Sequence, residues 1–322
     1  MHLLLLFTSF CLLFVLELIY LKIADKYNII DHPNERSSHS NITIRGGGII
    51  FLFAALIALI WHFNDFYTAL FGVILIGVIS FLDDVYSLSN QLRIFFHFAS
   101  VSLVFIYLGI FGLLPWWETL LLYILSIGII NAYNFMDGIN GMTGWYSVVI
   151  LASLQWVNLY QFYFIKPDLI WLPLLACTVF LFFNFRKKAR CFAGDVGSVT
   201  IALWIIMLLF DLIFTSNNWV YILFLGVYGV DTVLTILHRL LLKQNIFKAH
   251  RLHFYQLLAN EQKISHLLIS ACYALVQLVI ILFVINNSSL SGMALFLMII
   301  LPLIFTYLIL KPLLHINRKA DL

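Results

Sequence analysis

Eleven apolar runs of roughly membrane-spanning length follow one another along the chain. They fall at about 3–21, 46–63, 66–82, 94–112, 119–135, 142–163, 169–185, 198–214, 219–240, 266–286 and 292–312. A spanning helix needs about 20 mostly apolar residues. The runs are continuously apolar instead of alternating, which predicts helices and excludes a membrane β-barrel. The first run has no basic segment before it, is too long for a signal-peptide core and is followed by no A-x-A site, so it reads as a retained spanning helix. The expected fold is therefore all-α and polytopic, with about eleven transmembrane helices in a single integral-membrane domain over residues 1–322.

Charge placement orients this bundle. Of the 18 lysines and arginines, all but Lys166 lie in the connections after odd-numbered runs or at the C-terminal end. Basic loops stay in the cytoplasm, so the N-terminus is expected outside and the C-terminus inside. Trp61, Trp116, Trp117, Trp171 and Trp219 lie near the opposite ends, as an interfacial aromatic belt would. The outer connections are too short to build a site, so function is expected at the cytoplasmic face.

Composition agrees with the pattern. Of 322 residues, 63% are hydrophobic and 10% charged, against about 25% charged in soluble domains. A soluble enzyme, a nucleic-acid-binding domain and a disordered tail protein are excluded. The four cysteines, Cys11, Cys177, Cys191 and Cys272, form no C-x-x-C pair and no zinc spacing.

The polar residues cluster at the cytoplasmic edge. Asp83 and Asp84 end the third run, Asp137 follows the fifth and Asp195 precedes the eighth. A group of acids beside lipid repels itself unless a cation neutralises it. Hard oxygen ligands point to Mg²⁺, with Mn²⁺ an alternative. Asn131, Asn134 and Asp137 share a helical spacing of three, which suits either ligation or hydrogen bonding between helices. The segment Gly194-Asp195-Val196-Gly197-Ser198 reads as a helix start capped by Ser198, or as an anion site at that helix end. Arg45 with Gly46, Gly47 and Gly48 suits a phosphate oxygen or a flexible turn, and His32, Arg36 and His39 are softer candidates nearby. His250, Arg251 and His253, beside Lys248, offer donors for a phosphate-bearing substrate or for anionic headgroups. Asp231 lies inside the ninth run and is expected to face the bundle in a structural or supporting role. Glu17, near the inner end of the first run, is expected to snorkel.

Five segments in this order, HPNERSSHSNITIRGGG (32–48), LDDVYSLSNQLR (82–93), NAYNFMDGINGM (131–142), FAGDVGS (192–198) and HRLH (250–253), resemble the polyprenyl-phosphate N-acetylhexosamine-1-phosphate transferases. That family, glycosyltransferase family 4, includes phospho-MurNAc-pentapeptide translocase and the GlcNAc-1-phosphate transferase that initiates surface polysaccharides. The resemblance implies a multi-pass enzyme of the bacterial inner membrane that transfers an amino-sugar-1-phosphate from a UDP-sugar to undecaprenyl phosphate, releasing UMP, with Mg²⁺ required. It implies metal ligation by Asp195 and Asn134 with Asp137 close by, and catalytic roles for the paired acids Asp83 and Asp84 and for Asp137. It also implies a phosphate site at Arg45, Gly46 and Gly47, with Asn131 nearby, and a nucleotide-sugar loop at His250, Arg251 and His253. Partners are the polyprenyl phosphate, the UDP-amino sugar and the bilayer, with no nucleic acid; a homodimer stays open.

Ile44 stands where the family often has proline, and Asn140 where some members have a further aspartate. HRLH replaces a run of histidines in the peptidoglycan branch, which favours a surface-polysaccharide initiator. A lipid phosphomonoester is largely dianionic at pH 7, so Asp83 and Asp84 are expected to position groups and cations more than to abstract a proton. The rival from another class is a transporter, but transporters place polar groups near the bilayer midplane and often repeat internally.

Overall fold

The computed structural model describes residues 3–31, 42–245, 250–287 and 290–320. His32, Arg36, His39 and Lys248 lie outside the described residues. The chain is a bundle of helices: α1 Leu3–Lys26, α2 Ile49–Tyr86, α3 Asn90–Tyr107, the single turn α4 Ile110–Leu113, α5 Trp116–Met136, α6 Met142–Tyr160, α7 Asp168–Asn184, α8 Gly194–Ser216, α9 Gly226–Leu241, α10 Phe254–Asn260, α11 His266–Asn286 and α12 Gly292–Ala320. A 3₁₀ segment, Trp219–Leu225, leads into α9. A two-residue ribbon pairs β1 (Ile30–Asp31) antiparallel with β2 (Thr43–Ile44), Ile30 opposite Ile44. Seven of these helical stretches are long and apolar enough to cross a membrane, and α7 is a shorter apolar helix. The chain is thus an all-α polytopic membrane-type protein.

The runs 46–63 and 66–82 form one element, α2, broken at His62, whose φ of −128° and ψ of 31° leave the helix. At about 1.5 Å per residue a straight helix of 38 residues would hold its ends about 57 Å apart. Instead Arg45, just before α2, touches Asp84 near its end, and Leu52 packs beside Gly77. The chain therefore doubles back at His62 into two antiparallel arms. At the bend His62 Nε2 lies 3.3 Å from Asp168 Oδ2, and Lys166 forms an ion pair with Asp65. Both contacts lie at the end of the bundle away from Asp83 and Asp84.

Helix α8 is the axis. Its sequence is apolar on every side, as expected for a helix surrounded by others, and Ile201 through Phe210 are wholly buried. Close approach to it depends on small residues. A methyl group on Gly48 would fall inside the backbone of Gly197, and one on Gly77 would press on Thr200. Outward-facing residues such as Ile60, Leu121, Leu241 and Phe305 remain exposed, a surface suited to lipid.

The break between the 3₁₀ segment and α9 exposes backbone groups that side chains re-satisfy, as buried helix breaks require. Gln277 accepts from Val227 N (3.0 Å) and donates to Leu223 O (3.0 Å). Tyr146 OH accepts from Tyr228 N (3.2 Å) and donates to Gln277 Oε1 (2.7 Å).

Candidate active site

The site forms where α2, α5 and α8 end together. Asp84 is fully covered, and its carboxylate accepts from the first amides of α8: Asp195 N at 3.0 Å and Val196 N at 2.9 Å. Those amides carry the positive end of the helix dipole. Gly194 makes the approach feasible, because with φ +71° any side chain there would be strained and would meet the Asp84 carboxylate. Arg45 Nε completes the arrangement 2.7 Å from Asp84 Oδ1.

Asp83 points elsewhere. Its Oδ1 accepts from Leu88 N (2.6 Å) and its Oδ2 from Arg93 (3.0 Å). The two adjacent acids thus have separate partners. Arg93, on the first turn of α3, also lies 3.7 Å from Asp195 Oδ2, while Arg45 lies 3.8 Å from Asp195 Oδ1. Asn134, on the last turn of α5, donates to Asp195 Oδ1 (2.9 Å) and Ser198 Oγ (3.2 Å). Asp137, just past α5, accepts from Thr143 Oγ1 (2.6 Å).

Electrostatics follow from this crowding. Burial works against the charge on Arg45, but Asp84, Asp195 and Asp31 outweigh it and hold the guanidinium pKa above its ordinary value. Burial, with the fields of Asp195 and Asp84, pushes Asp137 up to about 8 despite the Thr143 hydrogen bond. Four carboxylates face two arginines, so the cluster carries two negative charges in excess when ionised. Among the described residues no three His, Cys, Asp or Glu side chains already meet as a ligand set. The donors themselves, carboxylate and amide oxygens with no nitrogen or sulfur ligand, fit a hard divalent cation, and the charge excess is what such an ion would cancel.

The loops around the site explain the glycine run. Phe192 N donates to Ile44 O (2.8 Å), Gly47 N to Phe192 O (2.8 Å) and Gly48 N to Ala193 O (3.0 Å). The amides of Gly47 and Gly48 are therefore engaged with the carbonyls of the 192–193 segment, and the glycines provide close packing that delivers Arg45. Gly46 takes φ +78° at the turn. Tyr20 OH fixes the Arg45 carbonyl at 2.7 Å. Glu17 does not snorkel: it is wholly buried beside Gly47, accepting from Cys191 Sγ at 3.6 Å.

The 250–256 loop docks on the same end of α5. Tyr255 OH donates to Phe135 O (2.8 Å), and Phe135 lies against His250 and His253 with ring centroids 6.4 and 6.0 Å away. Burial, with the charges of His253, Arg239 and Lys311, pushes His250 down to about 3, so it is neutral at physiological pH.

Of the residues expected from sequence, Arg45, Asp83, Asp84, Asn134 and Asp195 share one polar cluster, Asp137 lies within its electrostatic reach, and His250 and His253 stack beside it. Asn131 instead donates to Ile127 O of its own helix (3.0 Å). Helix α8 begins at Gly194, four residues before the apolar run predicts, so Asp195 sits in its first turn and Ser198 bonds Gly194 O rather than capping. Arg93, Thr143 and Tyr255 were not anticipated. The signal for Arg93 was its place at the end of the 82–93 segment, ten residues after Asp83.

Residues 66–213 match the family model described as glycosyl transferase family 4. That span contains Asp83, Asp84, Arg93, Asn134, Asp137 and Asp195. The chain is 28% identical over 254 residues to a Bacillus subtilis protein named "Probable undecaprenyl-phosphate N-acetylglucosaminyl 1-phosphate transferase", covering 73% of this chain and 70% of the relative. It is 28% identical over 274 residues to the phospho-N-acetylmuramoyl-pentapeptide-transferase of Thermotoga neapolitana, covering 78% and 87%. The undecaprenyl-phosphate alpha-N-acetylglucosaminyl 1-phosphate transferase of Escherichia coli K12 is 28% identical over 215 residues, covering 59% and 57%. The resemblance carried by the five motifs stands, and the transporter reading has no support.

Proposed function

We propose that this chain transfers an N-acetylhexosamine-1-phosphate from a UDP-sugar to undecaprenyl phosphate at the cytoplasmic face of a bacterial inner membrane. The reading is supported above all by one observation: Asp84, Asn134 and Asp195, from three helices, meet with Arg45 and Arg93 in one cluster. With the arms of α2 counted separately and the short α4 and α10 left aside, eleven described helical stretches correspond to the eleven apolar runs, and the polar cluster sits at the end where basic loops gather. We accordingly propose eleven spans with the N-terminus outside.

In the proposed reaction an oxygen of the lipid phosphate forms a bond to the β-phosphorus of the UDP-sugar. The bridging oxygen between the α- and β-phosphorus then leaves with the α-phosphate, as UMP. Two anions must approach, so cancelling charge matters more than removing a proton. Arg45 and Arg93, held by Asp84 and Asp83, stand fixed at the site with their side chains 35% and 38% exposed, able to meet phosphate oxygens. Asp195, Asn134 and Asp137 would hold Mg²⁺, which supplies charge neutralisation and orientation of the diphosphate when bound. The HRLH loop would contact the nucleotide-sugar, and its difference from a histidine run supports a surface-polysaccharide initiator over the pentapeptide substrate. Purified protein with undecaprenyl phosphate, Mg²⁺ and a panel of UDP-sugars should release UMP with a UDP-N-acetylhexosamine; folded protein that releases none with any sugar would overturn the proposal.

A further inference from the structure

Asp231 lies inside α9 and is 3% exposed. Four donors from three parts of the chain converge on it. Its Oδ1 accepts from Phe254 N (3.0 Å) and Thr235 Oγ1 (3.2 Å) and lies 3.3 Å from His253 Nδ1. Its Oδ2 accepts from Tyr273 OH of α11 at 2.9 Å. Helix α12 joins through Tyr307 OH, 2.7 Å from Thr235 Oγ1, and through Lys311, whose Nζ touches Tyr307 OH and lies 3.4 Å from Thr235 Oγ1.

Two groups face the same ring nitrogen of His253. The Gln256 backbone amide would need the Nδ1 lone pair, whereas the Asp231 carboxylate, which as an ionised group can only accept, needs a hydrogen on Nδ1. A carboxylate held as an acceptor by three other donors sets the hydrogen on Nδ1. The backbone of His253 is held as well, its N–H donating to Gln256 Oε1 at 3.2 Å at the start of α10. Its ring stacks on His250 with centroids 4.9 Å apart. The other ring nitrogen, Nε2, is buried with no hydrogen-bond partner among the described residues. A buried, oriented and unpartnered polar atom is costly to maintain, and a ligand that supplies the missing partner removes that cost.

We propose that Asp231 is a positioning residue for sugar-phosphate transfer, holding His253 in its Nδ1–H form so that Nε2 is the atom that contacts the nucleotide-sugar. The inference rests on the reading of residues 250–253 as the nucleotide-sugar loop. Thr235, Tyr273, Tyr307 and Lys311 brace the carboxylate, so α11 and α12, outside the matched family segment, take part in shaping the site. Metal-ligating histidines follow the same logic: a carboxylate on one ring nitrogen fixes the tautomer and ring direction, and so sets the state of the other.

The test begins with the tautomer, which does not depend on the reaction. In full-length protein labelled with ¹⁵N-histidine, with H253Q identifying the His253 signals, the wild type should show Nδ1 protonated. Folded D231A should revert to the Nε2–H form; an unchanged tautomer would overturn the proposal. Kinetics then use D231N, whose single carboxamide oxygen cannot serve four donors and which keeps the side chain's volume if D231A fails to fold. The expected result is at least a fivefold rise in KM for the UDP-sugar, less than a twofold change in KM for polyprenyl phosphate, and less than a twofold further effect in an H253Q background. Equal rises in both KM values, or effects that multiply in the double variant, would refute positioning through His253. Wild-type protein that releases no UMP would instead sink the transferase reading, with the tautomer still judging Asp231.

Discussion

The carboxylate of Asp84 accepts a hydrogen bond from the backbone amide of Asp195, 3.0 Å away. One acid of the site therefore caps the helix that presents another. Both Asp84 oxygens are engaged: Oδ1 also meets Arg45 Nε at 2.7 Å, and Oδ2 accepts from Val196 N at 2.9 Å. Asp84→Asn would turn an NH₂ group toward backbone donors, and Asp84→Ala would leave Arg45 and two helix amides without their anion. Both should lower stability by about 3 kcal/mol and activity by about 100-fold. Thermal unfolding in detergent and UMP release check the two effects. Full activity in D84N would show that the cap does not matter.

Arg93 should behave differently, because it is partly exposed and joins Asp83 to Asp195 rather than anchoring a buried helix end. Arg93→Ala should change stability by no more than about 1 kcal/mol while lowering transfer at least ~30-fold. Arg93→Lys keeps the charge but loses the planar fork, so it should recover only part of the rate. Steady-state kinetics on the pair, beside their melting curves, separates this role from a structural one.

Much of the architecture was legible in the sequence because lipid demands continuous apolar runs, and these mark the helices to within a few residues. Even the fold-back of α2 showed as two runs. What stayed hidden depended on which way a side chain faces. Arg93 was absorbed into the count of cytoplasmic cations. Glu17 lies one turn from the end of the first apolar run, but α1 continues to Lys26 and turns Glu17 to the buried face toward Gly47, so it does not snorkel. The spacing of Asn131, Asn134 and Asp137 was read as one stripe, yet Asn131 bonds its own helix. The glycines after Arg45 were legible as special, but their amides bind Phe192 and Ala193 carbonyls, a partner that only the fold supplies.

Cation binding should depend on pH through Asp137. Burial and the neighbouring Asp195 and Asp84 raise its pKa to about 8, so near neutrality the cation-free protein keeps a proton there. A divalent ion favours the carboxylate and expels that proton. Half-saturating Mg²⁺ should therefore fall as pH rises from 6 to about 8 and level off above, and Asp137→Asn should flatten that dependence. The same shift predicts that cation-free stability declines between pH 4 and 8, because the folded state holds a proton that the unfolded chain releases near its ordinary value of 3.8. Titrations of Mg²⁺ activation and melting temperature across this range test both signs.

Two glycines give a packing contrast. A methyl group on Gly48 would overlap the Gly197 backbone, whereas nothing lies within 4 Å of one placed on Gly128. Gly48→Ala should destabilise by about 3 kcal/mol or more, since neither backbone can move aside. Gly128→Ala, inside α5, should be neutral or stabilising by roughly 0.5–1 kcal/mol. Melting temperatures in one detergent decide between them.

The most direct measurement is the stoichiometry of product formation by purified protein given undecaprenyl phosphate, a UDP-N-acetylhexosamine and Mg²⁺. One UMP should appear for each undecaprenyl-diphospho-sugar, chelation should stop both, and Asp195→Asn should lower both at least 100-fold while the protein stays folded. Full turnover in D195N, or no lipid-linked product from folded wild type with any UDP-sugar, would contradict the account.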